Sequence, residues 1–228
     1  MKSTSLRARS WGIVLAGLVS IFSPVNLRAE NNLLVNGSFE TYTKNPSTWT
    51  IPNSVDWNVP VGNTAITGWT VTRGPIDYYT QLQWQPQDAL RTLDLGGTPG
   101  NGGVIQSFAT TPGQAYQVSF YLSGNPDGGP SNKTLRVIAG NVTQDYAFDI
   151  SVMHNTLANM MWQPYSFQFV ATNATSSIEL YNTMPTVTSQ GPVIDNVSVV
   201  AVPEPGALSI FGLGVGGMIL RRRRTIPA

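Results

Sequence analysis

Through the middle of the chain, apolar and polar side chains alternate with a period of two. Tyr116, Val118, Phe120 and Leu122 share one face, while Gln117, Ser119, Tyr121 and Ser123 take the other. Leu135, Val137 and Ala139 alternate with Arg136 and Ile138, and Tyr165, Phe167 and Phe169 with Ser166 and Gln168. Ile178 and Leu180 follow, then Val193, Val197 and Val199. Neighbouring side chains of a strand point to opposite faces, so these runs predict half-buried strands. Turn signals separate them: Thr111-Pro112-Gly113, the Pro- and Gly-rich run from Asn125 to Pro130, Gly140-Asn141 and Gly191-Pro192. Apolar positions at helical spacing are not sustained anywhere in this region. Many short strands with turns between them predict an all-β, jelly-roll-like antiparallel β-sandwich.

One strand carries an anomaly. In Val193-Ile194-Asp195-Asn196-Val197-Ser198-Val199, strict alternation puts Asp195 on the same side as three valines. A carboxylate facing a core is costly unless it is paired, hydrogen-bonded or bound to a metal. Three readings follow: an acceptor of backbone hydrogen bonds near the strand mouth, an outward position with Ile194 and Val200 defining the core face, or a ligand of a structural Ca²⁺.

The two ends depart from this pattern. Residues 1–29 read as a secretory signal peptide: Lys2, Arg7 and Arg9, then the apolar run from Trp11 to Phe22, then Ser23 and Pro24. At the other end, Val202-Pro203-Glu204-Pro205 leads into an apolar, Gly-rich stretch, 206–220, closed by Arg221, Arg222, Arg223 and Arg224. Fifteen helical residues at ~1.5 Å each fall short of a ~30 Å hydrocarbon core. An apolar run stopped by arginines is nevertheless a positive-inside arrangement, with the basic cluster held in the cytoplasm. The segment 203–228 resembles a PEP-CTERM sorting signal, which combines a Pro-Glu-Pro box, a short transmembrane helix and a terminal Arg cluster. That resemblance implies an exosortase as partner and transient anchoring in the inner membrane of a Gram-negative bacterium. The protein would then pass to the cell surface or an exopolysaccharide matrix.

Charge separates signals from cargo. The 228 residues include 13 Lys+Arg and 12 Asp+Glu, for a net charge of +1. Between residues 31 and 202 only Lys44, Arg73, Arg91, Lys133 and Arg136 are basic, against ten acids, so this stretch carries 5 − 10 = −5. A nucleic-acid partner, which needs a basic face, is thereby excluded. The absence of Cys excludes disulfides, thiolate zinc and a cysteine nucleophile. His154 is the sole histidine, and no GxSxG, HExxH or phosphate-binding glycine loop is present. The expectation is a non-enzymatic protein. Trp49, Trp57, Trp69, Trp84 and Trp162 remain in the domain, set among many Asn, Gln, Ser and Thr residues. Aromatic rings stack on sugar C–H faces, and neutral amides and hydroxyls bond sugar hydroxyls, so polysaccharide is the expected ligand. Trp69 and Tyr116 read as core. Trp84, in the amide-rich run Gln81 to Gln87 and close to Asp77 and Tyr78, is the candidate ligand contact, with burial as its alternative.

Within residues 31–202 the motifs also form an ordered series. Leu34-Val35-Asn36-Gly37-Ser38-Phe39-Glu40 opens the domain and Gly191 to Val199 closes it. Between them stand Ile66-Thr67-Gly68-Trp69, Gly74-Pro75-Ile76-Asp77-Tyr78, Leu93-Asp94-Leu95-Gly96-Gly97 and Gly103-Val104-Ile105-Gln106. The series resembles the choice-of-anchor C family, which is similar to a domain of unknown function in plant cell-wall proteins and to galactose-binding-like carbohydrate modules. In those modules the opening Glu and the closing Asp often share one calcium. Carried over, the resemblance implies Glu40 and Asp195 as ligands of a structural Ca²⁺. The leading expectation is an exported surface or matrix protein whose sandwich binds or organises polysaccharide. A structural matrix protein without a ligand is the alternative, and a polysaccharide-processing enzyme the third.

Overall fold

The computed structural model describes residues 31–43, 56–98 and 100–203. The expected signal peptide, the 206–220 segment and the sorting residues Glu204, Pro205 and Arg221–Arg224 lie outside these. Among the described residues no helix is long and apolar enough to cross a membrane.

The architecture is an antiparallel two-sheet sandwich, as the alternation predicts. The strands are β1 (Asp56–Val59), β2 (Thr70–Thr72), β3 (Ile76–Thr80), β4 (Arg91–Asp94), β5 (Gly103–Ala109) and β6 (Ala115–Gly124). They continue with β7 (Asn132–Ala139), β8 (Val142–Asp149), β9 (Gln163–Val170), β10 (Thr175–Asn182) and β11 (Pro192–Ala201). A single helical turn, α1 (Ile150–Met153), follows β8. One sheet has the order β1-β3-β4-β11-β6-β9, the other β2-β5-β10-β7-β8. The non-sequential order arises because consecutive strands cross between sheets, as in a jelly roll.

The core lies between the sheets. Val118, Phe120 and Leu122 of β6, with Ile194 and Val199 of β11, face Val104, Leu135, Val137, Ile178 and Leu180 of the other sheet, all buried. Trp69 and Tyr116 belong to this core, as read from the sequence. The Gly140-Asn141 pair makes a two-residue hairpin, with Ala139 opposite Val142 and Gly140 at φ 56°. A positive φ of this kind is what two-residue hairpin turns demand.

Alternation fails at one place, and the failure explains Asp195. β11 pairs with β6 through Asp195↔Tyr121 and then Ser198↔Ser119, so one extra residue is inserted into β11. Asn196 occupies the bulge at φ 49°. The bulge reverses the inward face. Ile194 points to the core before it, and Val197 and Val199 after it. Val193 and Asp195 therefore share the outer face of the six-stranded sheet, where Val193 packs with Trp84 and Met160 in a second, smaller apolar cluster. The expectation that all three valines share one face is corrected by that single inserted residue.

The opening and closing motifs meet in space. Asn32 clips β11 on both sides, donating Nδ2 to Val197 O (3.0 Å) and accepting from Val199 N (2.9 Å). Val197 N donates to Gly37 O (2.9 Å), and a Cβ at Gly37 would collide with the Val197 carbonyl. A glycine is thus required at position 37, where the first segment closes on the last strand.

Candidate functional site

The residues singled out in the sequence fall into three environments. Tyr78 points into the core, where its hydroxyl donates to Phe39 O (2.5 Å). Burial pushes that phenol well above its ordinary range. Trp84 is 2% exposed and stacks on Tyr79 with centroids 3.6 Å apart and planes inclined by 12°. Neither the Tyr78 nor the Trp84 ring is presented to solvent as a stacking platform. Trp84 instead anchors the 81–90 segment to the outer face of the six-stranded sheet. Asp77 alone of the three lines a cleft, described below.

Glu40 and Asp195 do converge on one segment, but through its N–H groups. Asp195 Oδ2 accepts from Gln87 N (2.9 Å) and Asp88 N (3.0 Å), and Oδ1 from Asn196 N (2.7 Å). Glu40 Oε1 accepts from Leu90 N (2.8 Å) and Arg91 N (2.7 Å). Burial pushes the Asp195 carboxyl up to about 8, while these backbone donors pull it the other way. A calcium ion takes about six to eight oxygens. Here the segment between the acids turns amide hydrogens toward them. Among the described residues no group of three His, Cys, Asp or Glu side chains is placed to hold a metal. In this arrangement both carboxylates are engaged by backbone N–H groups, and Asp195 matches one of the sequence readings, an acceptor of backbone hydrogen bonds.

Trp84 and the two acids together position a groove that the sequence reading missed. Above β6 and β9 lies a cleft of about 430 Å³, lined by Trp162, Tyr121, Gln85, Gln87, Asn159 and Gln163 among others, with no charged side chain among the described residues that line it. Its amides are held by one end. Gln85 Oε1 accepts from Met160 N (3.0 Å) and Gln87 Oε1 from Asn196 Nδ2 (2.8 Å), leaving the Nε2 groups as donors. Gln163 Nε2 donates to Met161 O (3.0 Å), leaving Oε1 as an acceptor. Trp162 Nε1 donates to Gln85 O (3.1 Å), which fixes the indole plane. Side chains locked in this way lose little freedom when a ligand arrives. Of the amide-rich run, Gln85 and Gln87 line this cleft, whereas Trp84 is buried. Tyr121 was the other available signal, as an aromatic residue on the polar face of β6.

His154 caps α1 at φ 51° and is exposed. Pro203 closes the described part of the chain, just beyond β11.

Comparison with known proteins gives the chain its family. A model for the PEP-CTERM protein-sorting motif matches residues 201–224. Halomucin of Haloquadratum walsbyi is 28% identical over 198 residues, covering 85% of this chain but only 2% of halomucin. Among solved structures, TmCBM61 in complex with beta-1,4-galactotriose is 12% identical at a TM-score of 0.42, covering 75% of this chain and 99% of that one. CBM35 from Paenibacillus barcinonensis is 14% identical at 0.39, covering 65% and 99%. Likenesses at such scores say nothing about a ligand for this chain. A model for DUF642, a family described as protein of unknown function, matches residues 32–200, essentially the whole sandwich together with the two motifs that bracket it. The chain belongs to the DUF642 family and carries a PEP-CTERM sorting motif at its C-terminal end.

Proposed function

We propose that this is an exported surface or matrix protein whose sandwich binds neutral extracellular polysaccharide in the groove over β6 and β9. The observation that carries the reading is the uncharged lining: two aromatic side chains flanked by carboxamides whose free ends are already oriented. A sugar ring offers apolar C–H faces and hydroxyls that both donate and accept, and this lining answers both. The proposed role is binding, which the amide and aromatic lining of the groove supports. An exosortase acts on the Pro203-Glu204-Pro205 box after export, with the apolar 206–220 segment held transiently in the inner membrane of a Gram-negative cell.

A glycan array and affinity electrophoresis in the native exopolysaccharide test the binding half. Wild type is expected to be retarded, and Trp162→Ala, measured well below its melting temperature, to lose at least tenfold in affinity. Equal retardation of both proteins, or none of wild type, would sink the groove. For sorting, replacing Pro203, Glu204 and Pro205 by Ala is expected to leave unprocessed precursor in the inner membrane. Normal processing of that variant would count against the exosortase.

A further inference from the structure

A second cleft, at the far edge of the six-stranded sheet, has a different chemistry. Here β1 is an edge strand with one inserted residue, since Asp56 pairs with Tyr78 but Val59 with Ile76. Asn58 takes the inserted position at φ 58° and is tied on both sides. Its N–H donates to Asp77 Oδ1 (2.7 Å), and its side-chain Oδ1 accepts from Thr98 N. The bulge turns Trp57 outward, 65% exposed, beside a cleft of about 290 Å³ that Asp77 and Asp127 also line. That volume lies near the lower end for small-molecule sites. Asp77 is 6% exposed, and its Oδ2 has no hydrogen-bond partner among the described residues. The floor is rigid: Asn125 Nδ2 donates to buried Asp94 Oδ2 (2.7 Å), and Lys133 Nζ donates to Gly128 O (2.6 Å) and Gln190 O (2.9 Å). Lys133 is fully buried and does not line the cleft, and among the described residues no cationic side chain does.

We propose that this cleft is a second saccharide site that takes an amine-bearing sugar, an unacetylated amino sugar whose ammonium pairs with Asp77 and Asp127 while its ring lies against Trp57. Asp77 supplies the first reason. A desolvated carboxylate with one open oxygen gains most from a charged donor, and a neutral hydroxyl leaves its charge unbalanced. Trp57 supplies the second, because an indole face attracts both a cation and the C–H groups next to it. The third is the remaining lining of Asn58, Thr98, Ser189 and Gln190, which suits a ring bearing several hydroxyls. A lysine side chain would bring a bare aliphatic stem to the same groups. Burial already holds the Asp77 carboxyl up at about 6, and a bound ammonium would draw it back down.

The test is calorimetric titration of the full chain with glucosamine oligosaccharides, their N-acetylated counterparts and cello-oligosaccharides. Wild type is expected to bind the unacetylated oligomer at least tenfold more tightly than the acetylated one. Asp77→Asn, which keeps the oxygen facing Asn58 N, and Trp57→Ala should each lose at least tenfold. Asp88→Asn, a charge-matched change in an exposed loop, and Trp162→Ala, in the other groove, should leave this binding unchanged. Equal affinity for acetylated and unacetylated oligomers, or the same loss in Asp88→Asn, overturns the site. Tighter binding of a lysine peptide with the same Asp77 dependence would overturn the sugar and assign the cleft to a protein partner. Because Trp162→Ala is the variant that disables the neutral groove, the two proposals fail separately.

Discussion

Replacing Trp84 by Ala separates a structural ring from a ligand platform. The indole is 2% exposed, lies 3.6 Å from the parallel Tyr79 ring, and joins Met160 and Val193 in an apolar cluster outside the main core. Truncating a buried aromatic costs roughly 3–5 kcal/mol, of which the stacked pair accounts for about 1. Domains are stable by only about 5–15 kcal/mol, so a large share of the stability is at stake. At ~2–4 °C per kcal/mol for a domain of this size, the melting temperature should fall by roughly 10 °C. Trp84→Phe keeps a ring against Tyr79 and should cost only about 1–2 kcal/mol. Urea denaturation of wild type and both variants, followed by tyrosine and tryptophan fluorescence, reads the difference directly. Glycan affinity, measured well below each midpoint, should be unchanged in Trp84→Phe. An alanine variant as stable as wild type but deficient in glycan binding would overturn the buried role and restore Trp84 as a contact.

Two further outcomes follow from the buried acids. Because Asp195 is held by three N–H donors, chelation with EDTA should leave the melting temperature of wild type unchanged. Asp195→Ala should destabilise by about 3 kcal/mol or more through donors left without a partner. A drop on chelation that calcium restores would instead establish a metal at Glu40 and Asp195. Asp77 makes stability depend on pH. Its folded value of about 6 exceeds the unfolded value near 4, so the folded state binds the proton more tightly. That contribution is fully present below about pH 4 and is lost as pH rises through about 6. Asp56, Asp94, Asp127 and Tyr79 are the other titratable groups around it. Denaturation midpoints between pH 5 and 7 should therefore fall less steeply with rising pH in Asp77→Asn than in wild type. A steeper fall in the variant would refute the assignment.

Period-two alternation along β6, β7 and β9 was sufficient to specify the sandwich, because inward and outward faces of a strand differ in side chains that are visible in order. The bracketing motifs were legible as residue types, since Gly37 meets the last strand through a contact that only glycine allows, whereas the Asn32 clip emerged only from the fold. The termini declared themselves through charge, since eight of the 13 basic residues lie in the first 28 and last eight positions. The outcome of each exception was not legible. A bulge adds one residue without any compositional mark, so whether Asp195 faced the core depended on pairing with β6. Similarly, Trp84 and Trp57 have the same chemistry, and only the packing of the 81–90 segment and the edge position of β1 bury one and expose the other. Tertiary structure also decided which atoms the acids meet, bringing Glu40 and Asp195 onto the backbone N–H groups of one segment, residues 87–91. Side-chain identity carries the local preference, but the partner of a buried polar atom belongs to a segment distant in sequence, and only folding brings the two together.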